Sequence, residues 1–315
     1  MGFFTSLFGG NKSTENDQEK NEEKNFDILK YDGIRAMRIG KLTYAIKCFE
    51  EATAIREDLE TMQHQAQTYI RVNRMEDART MMERMTEIAP QSVPVLHSLA
   101  SLCYMQEDYK GMDETCRKAL SLDDKNSISY FLCAKAAIGT GNGIQAIAML
   151  TKAIINDEAF NEAYQIRAEV LWTMRQTKDA LADVDKLLEM NPDDESALLL
   201  KGEISMTEGQ EAEGVTIIDQ VLALNPFNEK AYVLKGTYLL AKKEFDAAIT
   251  VYDEALEINP NFAQAYHERG RVKLAKGDKE GSMEDMKRAI ELAPENGTAI
   301  NGEYNNFEQQ KNIPF

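Results

Sequence analysis

Apolar positions along this chain recur at helical spacing in paired stretches, and a polar break follows each pair. Within residues 229–262 the pattern predicts one helix near Lys230–Ala241 and a second near Phe245–Glu257. Asn-Pro closes that segment at Asn259-Pro260. The same dipeptide stands at Asn191-Pro192 and Asn225-Pro226, with Ala293-Pro294 next, and successive prolines are 34 residues apart. Proline lacks an amide hydrogen and disfavours helical angles in the residue before it, so each one marks a helix end. A fixed period of this length predicts a stack of repeated units rather than separate globular domains. The cut gives eight units, at 26–58, 59–92, 93–126, 127–160, 161–194, 195–228, 229–262 and 263–296, the first 33 residues long and the others 34.

Aligning the units exposes columns. One is small throughout: Gly33, Ala66, Ala100, Ala134, Ala168, Gly202, Gly236 and Gly270. A second is mostly small, running from Ala45 and Ala78 to Ala248 and Ser282, with Met112 as its exception. A third is large and mostly apolar: Phe49, Met82, Cys116, Leu150, Val184, Ile218, Tyr252 and Met286. Small side chains let helix backbones approach, and large ones fill the space between pairs. A bulky residue at Gly236 is therefore expected to overpack two helices. Asn228 and Asp194 stand where the next helix needs an N-cap. Where proline is missing, Glu57, Asp124 and Glu158 replace it, and a carboxylate there is expected to serve the positive end of the following helix.

Composition adds limits to this picture. Thirty-six basic residues against 53 acidic ones leave a net charge of −17, which opposes phosphate backbones and anionic lipid; nucleic acid is excluded as a partner. Cys48, Cys103, Cys116 and Cys133 form no CxxC pair, and the last three fall on core-facing positions, so reduced structural thiols are expected. No stretch has the length and apolarity of a membrane-spanning helix. Residues 1–10 carry Phe3, Phe4, Leu7 and Phe8, and lack the basic start and long apolar run of a secretory signal. Residues 11–25 are charged and core-free, and read as a disordered tether. The expected location is cytoplasmic, or peripheral at a membrane, with membrane contact open only to residues 1–10.

The pattern of Tyr232, Gly236, Leu239, Ala248, Tyr252, Ala255 and Pro260 resembles the tetratricopeptide repeat, and the resemblance covers residues 26–296. It implies an all-α, right-handed α-solenoid of tandem helical hairpins whose first helices line a concave groove. It also implies protein or peptide binding without catalysis. After Glu295, Ile300, Tyr304 and Phe307 keep helical spacing, so residues 297–315 are expected to form a capping helix and a tail.

Catalytic chemistry has no foothold in the pattern. His64, His97 and His267 sit in three different units, away from any metal-ligand spacing, and no phosphate loop or nucleophile elbow occurs. The expectation is a non-enzyme without cofactor or metal. The informative surface is the first-helix face turned from the small column. One line along it is apolar: Met37, Ile70, Tyr104, Ile138, Trp172, Met206, Leu240 and Leu274. The candidate peptide-binding residues are His97, Tyr104, Phe131, Lys135, Ile138, Glu169, Trp172 and Glu203. Trp172 is the only tryptophan and the favoured anchor. Glu169 and Glu203 would favour a basic residue in the ligand. Some proteins of the resembled family grip a terminal carboxylate with Lys, Arg and Asn. The matching face here has Lys30, Gln63, Gln67, His97 and Ser101, too few cations and no Asn.

Three functions compete at this point. The first is a non-catalytic scaffold or adaptor that binds protein in its groove. The second is a membrane-associated regulatory or assembly factor with residues 1–10 as a foot. The third is a non-catalytic subunit of an enzyme complex.

Overall fold

Sixteen helices follow one another, with no strand, among the described residues of the computed structural model, which are 11–294, with side chains from residue 19. The chain divides into two units, residues 1–159 and 160–315. The first holds α1 (Asn11–Arg38), α2 (Leu42–Ile55), α3 (Leu59–Arg71), α4 (Met75–Ile88), α5 (Val93–Met105), α6 (Tyr109–Leu122), α7 (Ser127–Gly139) and α8 (Gly143–Asn156). The second holds α9 (Asn161–Thr173), α10 (Thr177–Met190), α11 (Glu195–Thr207), α12 (Glu211–Leu224), α13 (Glu229–Ala241), α14 (Phe245–Ile258), α15 (Ala263–Lys276) and α16 (Lys279–Leu292). The helices expected near 230–241 and 245–257 are α13 and α14, each within a residue. Inside each unit every helix packs on the next, and odd helices such as α5 and α7, or α11 and α13, also pack side by side. The fold is the all-α solenoid class that the repeat implies.

Each hairpin turns through one left-handed residue. Gly40, Gly141, Gly209 and Gly277 take positive φ there, and so do Asn73, Glu107, Arg175 and Lys243, at φ near 60°. Only the glycines do so without a side-chain penalty. Asp58, Asn126, Asp194 and Asn228 cap the next odd helix by accepting the N–H of Thr61, Ser129, Ala197 and Ala231. Glu57 and Asp124, expected close to the positive end of the next helix, do not themselves accept its N–H groups. The Glu57 carboxylate accepts Arg84 at 2.9 Å, and Asp124 offers its backbone oxygen to the Tyr130 hydroxyl. The residue after Glu57, and the second after Asp124, has the geometry to reach the free amides, so the cap lies there instead.

The small and large columns meet inside each hairpin. A Cβ added to Gly33 would strike the Phe49 ring; at Gly202 it would meet Ile218, at Gly236 the Tyr252 ring, and at Gly270 the Met286 tip. Phe49, Ile218 and Tyr252 are completely buried. Where the small column is alanine, its register partners are the smaller Val184 and Cys116, or the unbranched Met82, with Leu150 the largest. The two aromatic side chains of the large column, Phe49 and Tyr252, thus both face a glycine. All four cysteines are free and buried.

Residues 11–25 are not the disordered tether that their composition suggests, because α1 runs unbroken from Asn11. Packing of Phe26 and Ala36, both buried, nucleates the helix, and extending it through a stretch without Gly or Pro needs no second nucleus. Residues 19–25 are exposed on all sides of that extension. The apolar tip at 1–10 and the expected cap at 297–315 lie outside the described residues.

Candidate peptide-binding surface

The eight sequence-predicted residues fall into two groups, one per unit. In the first unit, His97 and Tyr104 stand on α5, and Phe131, Lys135 and Ile138 on α7. Side-by-side packing of these two odd helices brings them together. Lys135 Nζ lies 3.9 Å from the Tyr104 ring centroid and 6.0 Å from that of Phe131. A cation over an aromatic face at this range is attracted by the ring quadrupole. The Tyr109 edge closes on Tyr104 with centroids 6.2 Å apart. Along the apolar line, Tyr104 (41% exposed) and Ile138 (38%) are the open members, while Met37, Ile70, Met206, Leu240 and Leu274 are half-buried packing.

His97 is held by polar contacts within the same pair of helices. Its Nε2 is 2.7 Å from Ser129 Oγ, and that hydroxyl donates to Asn126 Oδ1 at 3.1 Å. With its own hydrogen spent on Asn126, Ser129 accepts from His97, which assigns the Nε2–H tautomer. Burial pushes the imidazole below its ordinary pKa, against the opposing field of Asp123. His97 is therefore a neutral group at pH 7.

Among the described residues, no carboxylate is paired with Lys135. The contrast within the unit is Lys30, whose ammonium binds Asp58 at 3.0 Å and Glu60 at 2.6 Å and is nearly buried. That pairing leaves the Lys30 ammonium already satisfied by two carboxylates.

In the second unit, Trp172 and Glu169 on α9 and Glu203 on α11 line one recess of about 370 Å³, with Gln165, Leu199 and Lys230. Arg175 stacks over the indole at 5.8 Å. Glu169 accepts the Gln165 side-chain amide at 2.7 Å, and Glu203 is bound by Lys230 at 2.7 Å. Lys230 was missed in the sequence reading. It lies 27 residues from its partner, a distance at which no local pattern signals a pair. The two glutamates are consequently unequal: Glu169 is exposed and has no cation paired with it among the described residues, and Glu203 already has one.

The second unit also carries a charged ladder that the columns did not announce. Lys201–Asp185 (2.8 Å), Lys235–Asp219 (2.7 Å) and Arg269–Asp253 (2.5 Å) each join an odd helix to the even helix before it. Arg167–Asp183 and Arg269–Asp285 are two-pronged pairs with both carboxylates nearly buried. A signal existed at period 34: the residue before the small column is basic at Arg167, Lys201, Lys235 and Arg269, whereas the first unit has Asp32, Gln65, Leu99 and Cys133 there.

Among the described residues no helix is long and apolar enough to cross a membrane, and no cluster of His, Cys, Asp or Glu could hold a metal ion. A family model described as the N-terminal ARM repeat of tetratricopeptide repeat protein 21 matches residues 143–283. No curated protein matches the chain. Among solved structures, a tetratricopeptide repeat protein from Parabacteroides merdae is 19% identical, with TM-score 0.62, over 75% of this chain and 93% of that one. The hetero-tetramer Cut9–Hcn1 of the APC/C aligns at 12% identity and TM-score 0.56, over 82% of this chain and 51% of that one. PilF of Pseudomonas aeruginosa aligns at 14% identity and TM-score 0.54, over 67% and 97%. These likenesses are to the fold. With its recurring proline period, its paired helices of 13 and 14 residues and its glycine-to-large-residue packing, this chain has the fold of tetratricopeptide-repeat proteins.

Proposed function

We infer that the chain is a non-catalytic interaction scaffold that holds a segment of a partner protein on its odd-helix faces. The observation that carries this is the open aromatic and cationic group on α5 and α7, where Tyr104 and Ile138 stay exposed on a line that is otherwise packed. Large aromatics with an apolar body supply contact area at low entropy cost, and a cation beside them adds orientation. The Trp172 recess of the second unit offers an independent anchor point. Its exposed Glu169 would take a basic group of the partner; Glu203 would do so only by releasing Lys230.

The test is affinity capture from lysate with the full chain, wild type against the Phe131→Ala, Trp172→Ala double variant. Partners identified by mass spectrometry should be lost from the variant while its helix content and melting are retained. Unchanged capture by the folded double variant places the binding surface elsewhere.

A second reading is favoured by α1, which leaves the first hairpin as an exposed polar helix and leads to residues 1–10. Those residues would then act as a membrane foot. Deleting residues 1–25 should shift the protein from the membrane to the soluble fraction; a full-length protein found wholly in the soluble fraction argues against the foot.

A further inference from the structure

The first unit's patch has a charge preference opposite to the one that Glu169 and Glu203 suggest. We propose that Lys135 receives an internal Asp or Glu side chain of the partner segment, with a large apolar neighbour of that acid laid on Tyr104 and Ile138. This names the ligand chemistry of the surface proposed above and rests on that reading.

Three observations converge on it. First, the Lys135 ammonium is held against the Tyr104 ring at 3.9 Å, with Phe131 on its other flank, and no carboxylate among the described residues is paired with it. The other lysines of the unit without an acid, such as Lys47, Lys118 and Lys125, are exposed, whereas Lys135 is half-buried, and the unit's one nearly buried lysine, Lys30, has two acids. Second, the aromatic walls lower the local dielectric, so a carboxylate arriving there gains more than at an open lysine. Third, the excess of acid is uneven. Residues 1–159 hold 19 basic and 24 acidic residues, a net of −5, against 17 and 29 in residues 160–315, a net of −12. An acidic segment meets less repulsion over the first unit than over the second. A side-chain acid fits better than a chain terminus, because Lys135 offers a single point charge, without the Arg or Asn donors that grip both oxygens of a terminal carboxylate.

The experiment pans a phage-displayed library of random peptides, about twelve residues long, against the full-length protein. Selected peptides are synthesised with free and with amidated C-termini and measured by fluorescence anisotropy. Enrichment of Asp or Glu beside Phe, Leu or Ile is expected, with amidation having no effect. Lys135→Glu should weaken these peptides by about tenfold or more, and Lys135→Met, which keeps the packed stem, by several-fold. Exchanging the peptide's acid for lysine should restore binding to Lys135→Glu, a rescue that misfolding cannot produce. Peptides that lose affinity with Phe131→Ala but keep it within about twofold in Lys135→Glu would overturn the charge assignment and leave the groove reading standing. Loss on amidation would overturn the side-chain acid in favour of a chain terminus. A library whose peptides respond to neither Phe131→Ala nor Lys135→Glu, or that selects none, overturns the groove reading and this inference with it.

Discussion

The two units share a backbone plan and differ in what they place between the helices. At the position before the small column, the first unit turns Gln65, Leu99 and Cys133 inward, whereas the second has Arg167, Lys201, Lys235 and Arg269. The first unit therefore joins its hairpins through an apolar, sulfur-rich core of Met82, Met112, Cys103, Cys116 and Cys133. The second adds carboxylate pairs to a smaller core around Ile218 and Tyr252. Equal helix geometry thus does not require equal chemistry. Soft side chains adapt to an irregular gap, and ion pairs instead demand a fixed one. The same contrast reaches the surface: an unpaired lysine between aromatic rings in one unit, a tryptophan recess bordered by glutamates in the other.

Substitutions can break this contrast. The largest effect is expected from Gly236→Leu, because the Tyr252 ring that the new side chain would enter is fully buried and has no room to swing out. A loss of about 3 kcal/mol or more is predicted by denaturant unfolding. An undiminished midpoint would show that the hairpin packs differently. Asp183→Asn comes next. It strips a two-pronged partner from Arg167 and should cost about 3 kcal/mol. The register-equivalent Thr115→Ala in the first unit removes one hydroxyl bond to the Gly111 oxygen and should cost about 1 kcal/mol. Equal losses would erase the distinction between a charged and an apolar core.

A smaller gain in stability is expected at the turns. Glu107→Gly and Lys243→Gly each remove a side chain from a left-handed residue and should stabilise by about 0.5–1 kcal/mol, one in each unit. A loss at either position would mean that its side chain has a compensating role. The smallest effect concerns His97. Its folded pKa lies below the unfolded value of about 6.5, so the stability from the neutral ring is complete above that value. That contribution falls as pH drops towards the folded pKa. Imidazole C–H shifts followed by NMR should titrate below the unfolded value. A midpoint above it would mean a charged partner that the Ser129 contact does not provide.

Where the backbone alone decides, the sequence was readable. The period, the paired helices and the small and large columns follow from spacing. So do the caps at Asp194 and Asn228, because an Asn or Asp after a helix stop has few other uses. Half of the left-handed turn residues were signalled by glycine at Gly40, Gly141, Gly209 and Gly277; Asn73, Glu107, Arg175 and Lys243 gave no such sign. The α1 extension was hidden because composition measures the lack of a core, not the ease of prolonging a helix already nucleated at Phe26. The candidate site divides in the same way. That Tyr104, Phe131 and Lys135 share a face could be read from spacing. Which lysine is paired could not, since the Glu203–Lys230 and Lys30–Glu60 contacts link residues 27 and 30 positions apart through long, flexible side chains.

The central claim is that partner segments lie on the odd helices. Hydrogen–deuterium exchange of the full chain, free and with a captured partner, reads this directly. Added protection is predicted on α5, α7, α9 and α11, largest in the peptides that carry Tyr104, Phe131 and Trp172. Protection confined to the even helices α6, α8, α10 and α12, with the odd helices unchanged, would contradict it.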